Sequence, residues 1–391
     1  MLQTPSLLSL GACAVAAGLA AHVARRALLH RRSGTPALGF DAALDRLSGS
    51  SVEDLILVVD FDRTLTDGES AQCHDVIGAT SLVPESLRAG FAPLLDFSDP
   101  AKVPYKGDAW WVRANELLLT HASRVLTPET VRRLVHEAPL FGTSTQPMQL
   151  RPGAARLLAR LSELDVPVLI VSAGFADIIA AFLAACAVPL GSNVRVCSNW
   201  LVHDAASGQL TGIEPSPPIT GCNKHLSFER NRDWFTTTHR RRRTLVVVGD
   251  SLGDLKCAEG VPADYAVATA SGPSCGIHPP HVPTCPQDHG THSAAIFSCI
   301  RSPRVFTRCR YRHCNPQLCI SFLHSCHQVG VFNERDGRAS LEEYERAFAA
   351  VIVGNRGSLA PLTELVEAVC ARSPPPRCTR WRPRHGGSRI G

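Results

Sequence analysis

Charge is scarce in this chain, since Asp, Glu, Lys and Arg make up only 19% of its 391 residues. It is also unevenly placed: residues 1–40 hold four Arg and no acid, and residues 372–391 hold six Arg and no acid. With those ten set aside, 30 basic residues face 35 acidic ones, so the overall +5 belongs to the two ends and the body is about −5. A groove-binding nucleic-acid fold is therefore not implied. Sparse charge together with 45% hydrophobic residues and a mean hydropathy near zero excludes a disordered chain, a collagen-like chain and a polytopic membrane protein. What remains is globular and long enough to bury a substantial core. A disulfide framework is missing as well. Of 15 Cys, seven (Cys275, Cys285, Cys299, Cys309, Cys314, Cys319, Cys326) crowd one stretch and the rest are scattered, which suits a reducing compartment. That stretch has no CxxC pair, and Cys309, Cys314 and Cys319 are five apart, so the tight spacing of a zinc site is absent too.

No positive charge precedes the first apolar run, Leu7 to Ala24, which argues against a secretory signal; Arg25, Arg26, Arg31 and Arg32 follow it instead. An arginine cluster behind about 18 apolar residues fits a membrane anchor with its cationic end in the cytosol. An Arg-rich, acid-free segment also fits an organellar presequence, and a third reading is an unstructured start. In each case residues 1–40 stand outside the catalytic fold, which is expected in the cytoplasm, and any membrane contact runs through residues 7–24.

From Asp54 the pattern is that of an α/β domain. Leu55–Val59, Pro167–Val171 and Thr244–Val248 are continuous apolar runs, as expected of strands buried on both faces of a parallel sheet. Each ends in a short polar loop (DFDRT, SAGF, GDSLGD), and helical stretches such as Ala154–Leu164 and Ala176–Ala185 lie between. This predicts a doubly wound parallel sheet with the active site along its carboxyl edge. Residues 41–67, 151–271 and 329–371 form the expected core. Residues 68–150 read as mainly helical, for example Trp110–Ser123 and Thr127–Glu137, and are expected to form an inserted cap. Residues 272–328, rich in Pro, Cys and His and without periodicity, read as an unstructured insertion or a translated intron, and residues 372–391 as a disordered basic tail.

The chemistry concentrates at the strand ends. In Asp60-Phe61-Asp62-Arg63-Thr64, two carboxylates at i and i+2 can face one phosphate. The pattern by itself is equally an acidic turn capping the next helix. A carboxylate can attack phosphorus if a cation neutralises the approaching anions, and a second carboxylate can move the proton. Ser172-Ala173-Gly174 offers a hydroxyl and backbone N–H groups to phosphate oxygens. Lys224 supplies positive charge, and Asp250 and Asp254 in GDSLGD add acids suited to Mg²⁺. Each piece alone is weak, but they occur in the required order, three of them at strand ends.

These motifs resemble the four motifs of the haloacid dehalogenase superfamily of phosphohydrolases. More closely, VVDFDRTLT, Cys73-His74, LIVSAGFADII, VRVCSNWLVHD, CNKH and VVVGDSLGDLKCAEGV resemble the pyrimidine 5′-nucleotidase family, also called cytosolic 5′-nucleotidase III. The resemblance covers about 54–270 and resumes at VGVFNERDGRASLEEYERAF. It implies Asp60 as nucleophile and Mg²⁺ ligand, and Asp62 as general acid/base lending its carbonyl to the metal. It further implies Thr64 as loop support, Ser172 and Ala173 as phosphate holders, Lys224 as charge stabiliser, Asp250 as metal ligand and Asp254 as the acid that orients Lys224 or the metal's waters. The family's cap contacts the base with a Glu and a Ser. Here the matching region reads Leu94-Leu95-Asp96-Phe97, with Asp96 the candidate, and Ala114-Asn115 stand where the family has Ser and His. Trp110 and Trp111 are read as helix-packing aromatics, with base stacking the alternative. The expectation is a monomeric Mg²⁺-dependent hydrolase of nucleoside 5′-monophosphates, pyrimidine ones first, acting through an aspartyl-phosphate. The rivals are a phosphatase of another small ester and an inactive membrane-tethered binding protein.

Overall fold

In the computed structural model, which describes residues 37–47, 49–96, 104–105, 107–239, 242–258, 327–333 and 340–372, the apolar runs become adjacent strands. Along the chain lie β1 (Ala37–Leu38), α1 (Phe40–Arg46), β2 (Leu55–Val59), α2 (Cys73–Ala79), α3 (Glu85–Leu95), α4 (Asp108–His121), α5 (Pro128–Leu134), α6 (Ala154–Glu163) and β3 (Val168–Phe175). They are followed by α7 (Ala176–Ala185), β4 (Val194–His203), β5 (Leu210–Glu214), α8 (Leu226–Arg230), β6 (Thr244–Gly249), β7 (His327–Phe332), α9 (Leu341–Ala347), β8 (Ala350–Val353) and α10 (Ala360–Arg372).

The sheet has eight strands in the order β1-β8-β7-β6-β2-β3-β4-β5. Strands β8 through β4 in that order are mutually parallel, while β1 and β5 add antiparallel edges. The strands are apolar throughout because both faces are covered. Leu55, Leu57 and Val59 of β2 pack into one core with α1, α6, α7 and α10, and Ile56 and Val58 pack into a second with Phe228, Trp234 and Phe235. From β2 the chain goes to β3 and β4 on one side and to β6, β7 and β8 on the other. The order thus reverses beside β2, and in open α/β sheets the crevice at such a point receives the ligand.

The structure departs from the sequence reading in detail. The helix expected at Trp110–Ser123 runs Asp108–His121, and the antiparallel β4–β5 pair was not foreseen. The strand expected from Val329 begins at His327, so the tract 272–328 contributes its last two residues to the sheet. The rest of that tract, residues 1–36 and residues 373–391 lie outside the described residues. Among the described residues no helix is long and apolar enough to cross a membrane.

Candidate active site

Asp60 leaves β2 at the sheet's carboxyl edge, and its N–H donates to the Val248 carbonyl at 2.9 Å, which fixes the strand end against β6. Lys224 Nζ lies 2.5 Å from Asp60 Oδ1 and 2.5 Å from Asp254 Oδ1, with all three side chains buried. The other Asp254 oxygen accepts from the Ser251 N–H at 2.8 Å and the Ser251 hydroxyl at 2.9 Å. Asp254 thus pairs with the lysine through one oxygen and with Ser251 through the other. A side chain on Gly249 would run into Asp254, so this close approach requires glycine. The Thr64 hydroxyl donates to Asp250 Oδ1 at 3.4 Å, and the Tyr344 hydroxyl donates to the Asp250 carbonyl.

Two buried acids share one buried ammonium and a third, Asp250, lies beside them, and the titration behaviour follows from that imbalance. Burial pushes Asp60 up; Lys224 pulls it down, and Asp254 and Asp250 push it up again, leaving it well above the ordinary carboxylate range. Burial alone would lower Lys224, but Asp254 and Asp60 more than offset this and hold it above the usual lysine value. Burial raises Asp62 to about 6, against the Cys73 N–H that donates to its Oδ1 at 3.0 Å. Gly174 permits this packing, because a Cβ there would sit 2.7 Å from the Cys73 side chain and 3.1 Å from Asp62 Oδ2.

Asp60, Asp250 and Asp254 each offer an oxygen within 4.8 Å of the others. An all-oxygen, acid-rich set suits a hard divalent cation such as Mg²⁺. Both oxygens of Asp254 are engaged, by Lys224 and by Ser251, whereas Lys224 contacts Asp60 through Oδ1, so Asp60 and Asp250 are the carboxylates that could hold such an ion. The Asp62 carbonyl accepts no hydrogen bond among the described residues, whereas its neighbour Phe61 O takes the N–H groups of Thr64, Leu65 and Thr66. An oxygen left open beside two carboxylates fits a third ligand position.

On the β3 side, Ser172 Oγ accepts from the Gly174 N–H at 2.9 Å, and Ser198 Oγ donates to the Gly174 carbonyl at 2.8 Å. Asn199 donates to the carbonyls of Ala173 (2.8 Å), Gly174 (3.1 Å) and Ile219 (2.9 Å), and its own oxygen accepts from the Ile219 N–H at 2.7 Å. One amide thus ties the Ser172 loop to the segment that carries Lys224. The sequence reading used Asn199 only as a family marker. The available signal was a run of polar groups, Ser198-Asn199, inside an otherwise apolar strand.

These residues floor a cleft of about 1410 Å³ that Asp60, Asp62, Ser172, Ala173, Lys224 and Asp250 line from below. The helical segment lines it from the other side with His74, Asp96, Tyr105, Trp110 and Trp111. Trp110 is buried and donates its indole N–H to the Leu94 carbonyl at 2.9 Å, as a packing residue would. Both tryptophans nevertheless face the cleft, with ring centroids 4.7 Å apart and each 5.1 Å from His74, all edge to face.

A doubly wound sheet with this set of acids, hydroxyl and lysine along its carboxyl edge defines a haloacid dehalogenase-like phosphatase. Residues 68–269 match the family described as Pyrimidine 5′-nucleotidase (UMPH-1). The chain belongs to that family, whose members are 5′-nucleotidases, phosphoric monoester hydrolases. Among its relatives, 7-methylguanosine phosphate-specific 5′-nucleotidase A of Xenopus laevis is 25% identical over 237 residues, covering 57% of this chain and 77% of the relative. The 7-methylguanosine phosphate-specific 5′-nucleotidase of Gallus gallus is 27% identical over 223 residues, covering 54% and 72%. The fold is similar to that of cytosolic 5′-nucleotidase IIIB bound to cytidine, with a TM-score of 0.53 and 19% identity over 85% of this chain and 91% of the other.

Proposed function

We propose that the chain hydrolyses nucleoside 5′-monophosphates by way of a phosphoryl group carried on Asp60, with 7-methylguanosine 5′-monophosphate as the preferred substrate. The observation that carries the chemistry is Lys224 Nζ at 2.5 Å from both Asp60 and Asp254, on the floor of a cleft that Asp62 and Asp250 also line. Lys224 offsets part of the cost of burying the Asp60 carboxylate and attracts the phosphoryl oxygens, which Ser172 and the backbone at Ala173 hold in place. An Asp60 oxygen attacks phosphorus, the bond to O5′ breaks with its electron pair going to O5′, and Asp62 gives O5′ a proton. Water then attacks the phosphorus, returns a proton to Asp62 and releases phosphate with Asp60 restored. Mg²⁺ held by Asp60, Asp250 and the Asp62 carbonyl would neutralise the phosphate oxygens so that an anionic nucleophile can approach them.

Residues 68–150 act in this reading as a cap that selects the base. A 7-methylated guanine is flat and cationic, so the aromatic wall of Trp110, Trp111 and Tyr105 would attract it, and the Asp96 carboxylate in the same wall complements its charge. The relatives named for 7-methylguanosine support the same choice. A second reading, a pyrimidine monophosphate, draws on the description of the family that matches residues 68–269. Phosphate release from a panel of nucleoside monophosphates and simple esters, with Mg²⁺ and with EDTA, separates them. Metal-dependent release strongest with the methylated purine, and abolished by Asp60→Asn, is expected; release strongest with CMP or UMP supports the second reading. Release only from non-nucleotide esters overturns the substrate, and full activity of Asp60→Asn overturns the mechanism.

A further inference from the structure

Arg151 is 1% exposed, yet its side chain forms no ion pair among the described residues. Burying an unpaired guanidinium costs several kcal/mol unless its donors are satisfied, and here they are satisfied by backbone oxygens. Nη2 lies 2.5 Å from the Arg63 carbonyl, Nε donates to the Thr64 carbonyl at 3.0 Å, and the Arg151 backbone N–H donates to the Leu65 carbonyl at 2.9 Å. One residue therefore holds three successive carbonyls of the loop that follows the Asp60–Asp62 pair. On its other side, Nη1 donates to the carbonyls of Gly354, Asn355 and Gly357 at 3.1–3.2 Å, and Nη2 to Asn333 Oδ1 at 2.8 Å. Asn333 also donates to the Arg63 carbonyl at 3.2 Å. Arg63 sits at φ 61°, a left-handed conformation that a bulky side chain keeps only when its surroundings over-determine it.

The geometry points to Arg151 as a positioning residue for the catalytic loop: by holding the carbonyls of Arg63, Thr64 and Leu65, it sets where Asp62 and the Asp62 carbonyl stand relative to Asp60. Burial lowers the Arg151 pKa to about 10, so the guanidinium stays charged at neutral pH and keeps all five donors. Neither Lys nor Gln can replace it, because only a planar fork reaches both loops at once. The inference rests on the roles proposed above for Asp60 and Asp62.

The test compares Arg151→Gln, Arg151→Lys and Asn333→Ala with the parent chain, scoring kcat per folded molecule, KM and the thermal midpoint. Arg151→Gln is expected to melt cooperatively, to lose about tenfold to a hundredfold in kcat and to keep KM within about threefold, the effect of a misplaced catalytic group. Millimolar guanidinium should restore part of the lost rate, and Arg151→Lys should fall in between. A lower midpoint with unchanged kcat per folded molecule means a merely structural arginine and overturns the inference. If Arg151→Gln does not fold, Asn333→Ala decides: a several-fold loss of kcat at constant KM supports the inference, and unchanged kcat overturns it. Asp60→Asn is run alongside. Retained turnover there removes the proposed roles themselves, whereas an inactive Asp60→Asn with a fully active Arg151→Gln removes only the inference.

Discussion

At the scale of single residues, the site is a problem in charge balance solved with few groups. Lys224 makes the burial of Asp60 and Asp254 tolerable, and Asp250 brings a third carboxylate within 4.8 Å of both. Asp60, Asp62, Ser172 and Asp250 could be singled out in the sequence because carboxylates and a hydroxyl at the ends of apolar runs have few structural uses, whereas Lys224 stood out only by its place in the order of the motifs. Arg151 was not legible. A lone arginine before Pro152-Gly153 looks like any helix lead-in, and its value lies in carbonyls from residues 63–65 and 354–357 that only the fold assembles. Asp75 was missed for the same reason. It caps α2 through the Gln72 N–H at 2.8 Å and accepts from the Thr143 N–H at 2.9 Å and the Thr143 hydroxyl, fastening a cleft-lining loop. Burial raises its pKa against those hydrogen bonds. The folded chain therefore binds that proton more tightly than the unfolded chain does, and this group's contribution to stability falls as pH rises from the unfolded value through the folded one. Asp75→Asn lacks the step, so its thermal midpoint should decline less than the parent's as pH rises from the ordinary carboxylate range. Identical declines would show that Asp75 does not titrate over that rise.

At the scale of elements, the strands were the most legible part. Leu55–Val59 is apolar because two cores share it, and its observed span coincides with the run read from the sequence. The β4–β5 pair was opaque because β4 lies only partly buried, with Arg195, Asn199 and Trp200 breaking any continuous apolar signal. The ends of strands matter more for function than their middles. At the end of β6, Gly249 leaves the space that Asp254 fills on its way to Lys224. Gly249→Ala should therefore cost about 1–3 kcal/mol in urea unfolding, the usual range for overpacking. It should also lower kcat, because Asp254 must move and release the lysine. An unchanged midpoint and rate would mean that the Asp254 contact is not held as described.

At the scale of the whole molecule, pieces far apart in sequence complete one edge of one sheet. β7 and β8 extend the parallel set beyond β6, Tyr344 of α9 reaches the Asp250 carbonyl, and the loop after β8 receives Arg151. The long Cys- and His-rich tract between β6 and β7 interrupts the sequence pattern, yet residues 329–371 were read as part of the core; what a linear reading could not give is the strand order that sets β7 and β8 beside β6. The crevice where strand order reverses beside β2 collects Asp60, Ser172 and Asp250 from three neighbouring strands, and the helical segment supplies the opposite wall.

Passage of the phosphoryl group through Asp60 is the step on which the proposed reaction stands. The most direct measurement mixes the chain with Mg²⁺ and nucleotide labelled in its phosphate, quenches in acid within one turnover and maps the label to a peptide. A hydroxylamine-labile phosphoryl group is expected on the peptide containing Asp60 and is expected to be absent from Asp60→Asn. Turnover with no protein-bound label, or with label on a different residue, would contradict it.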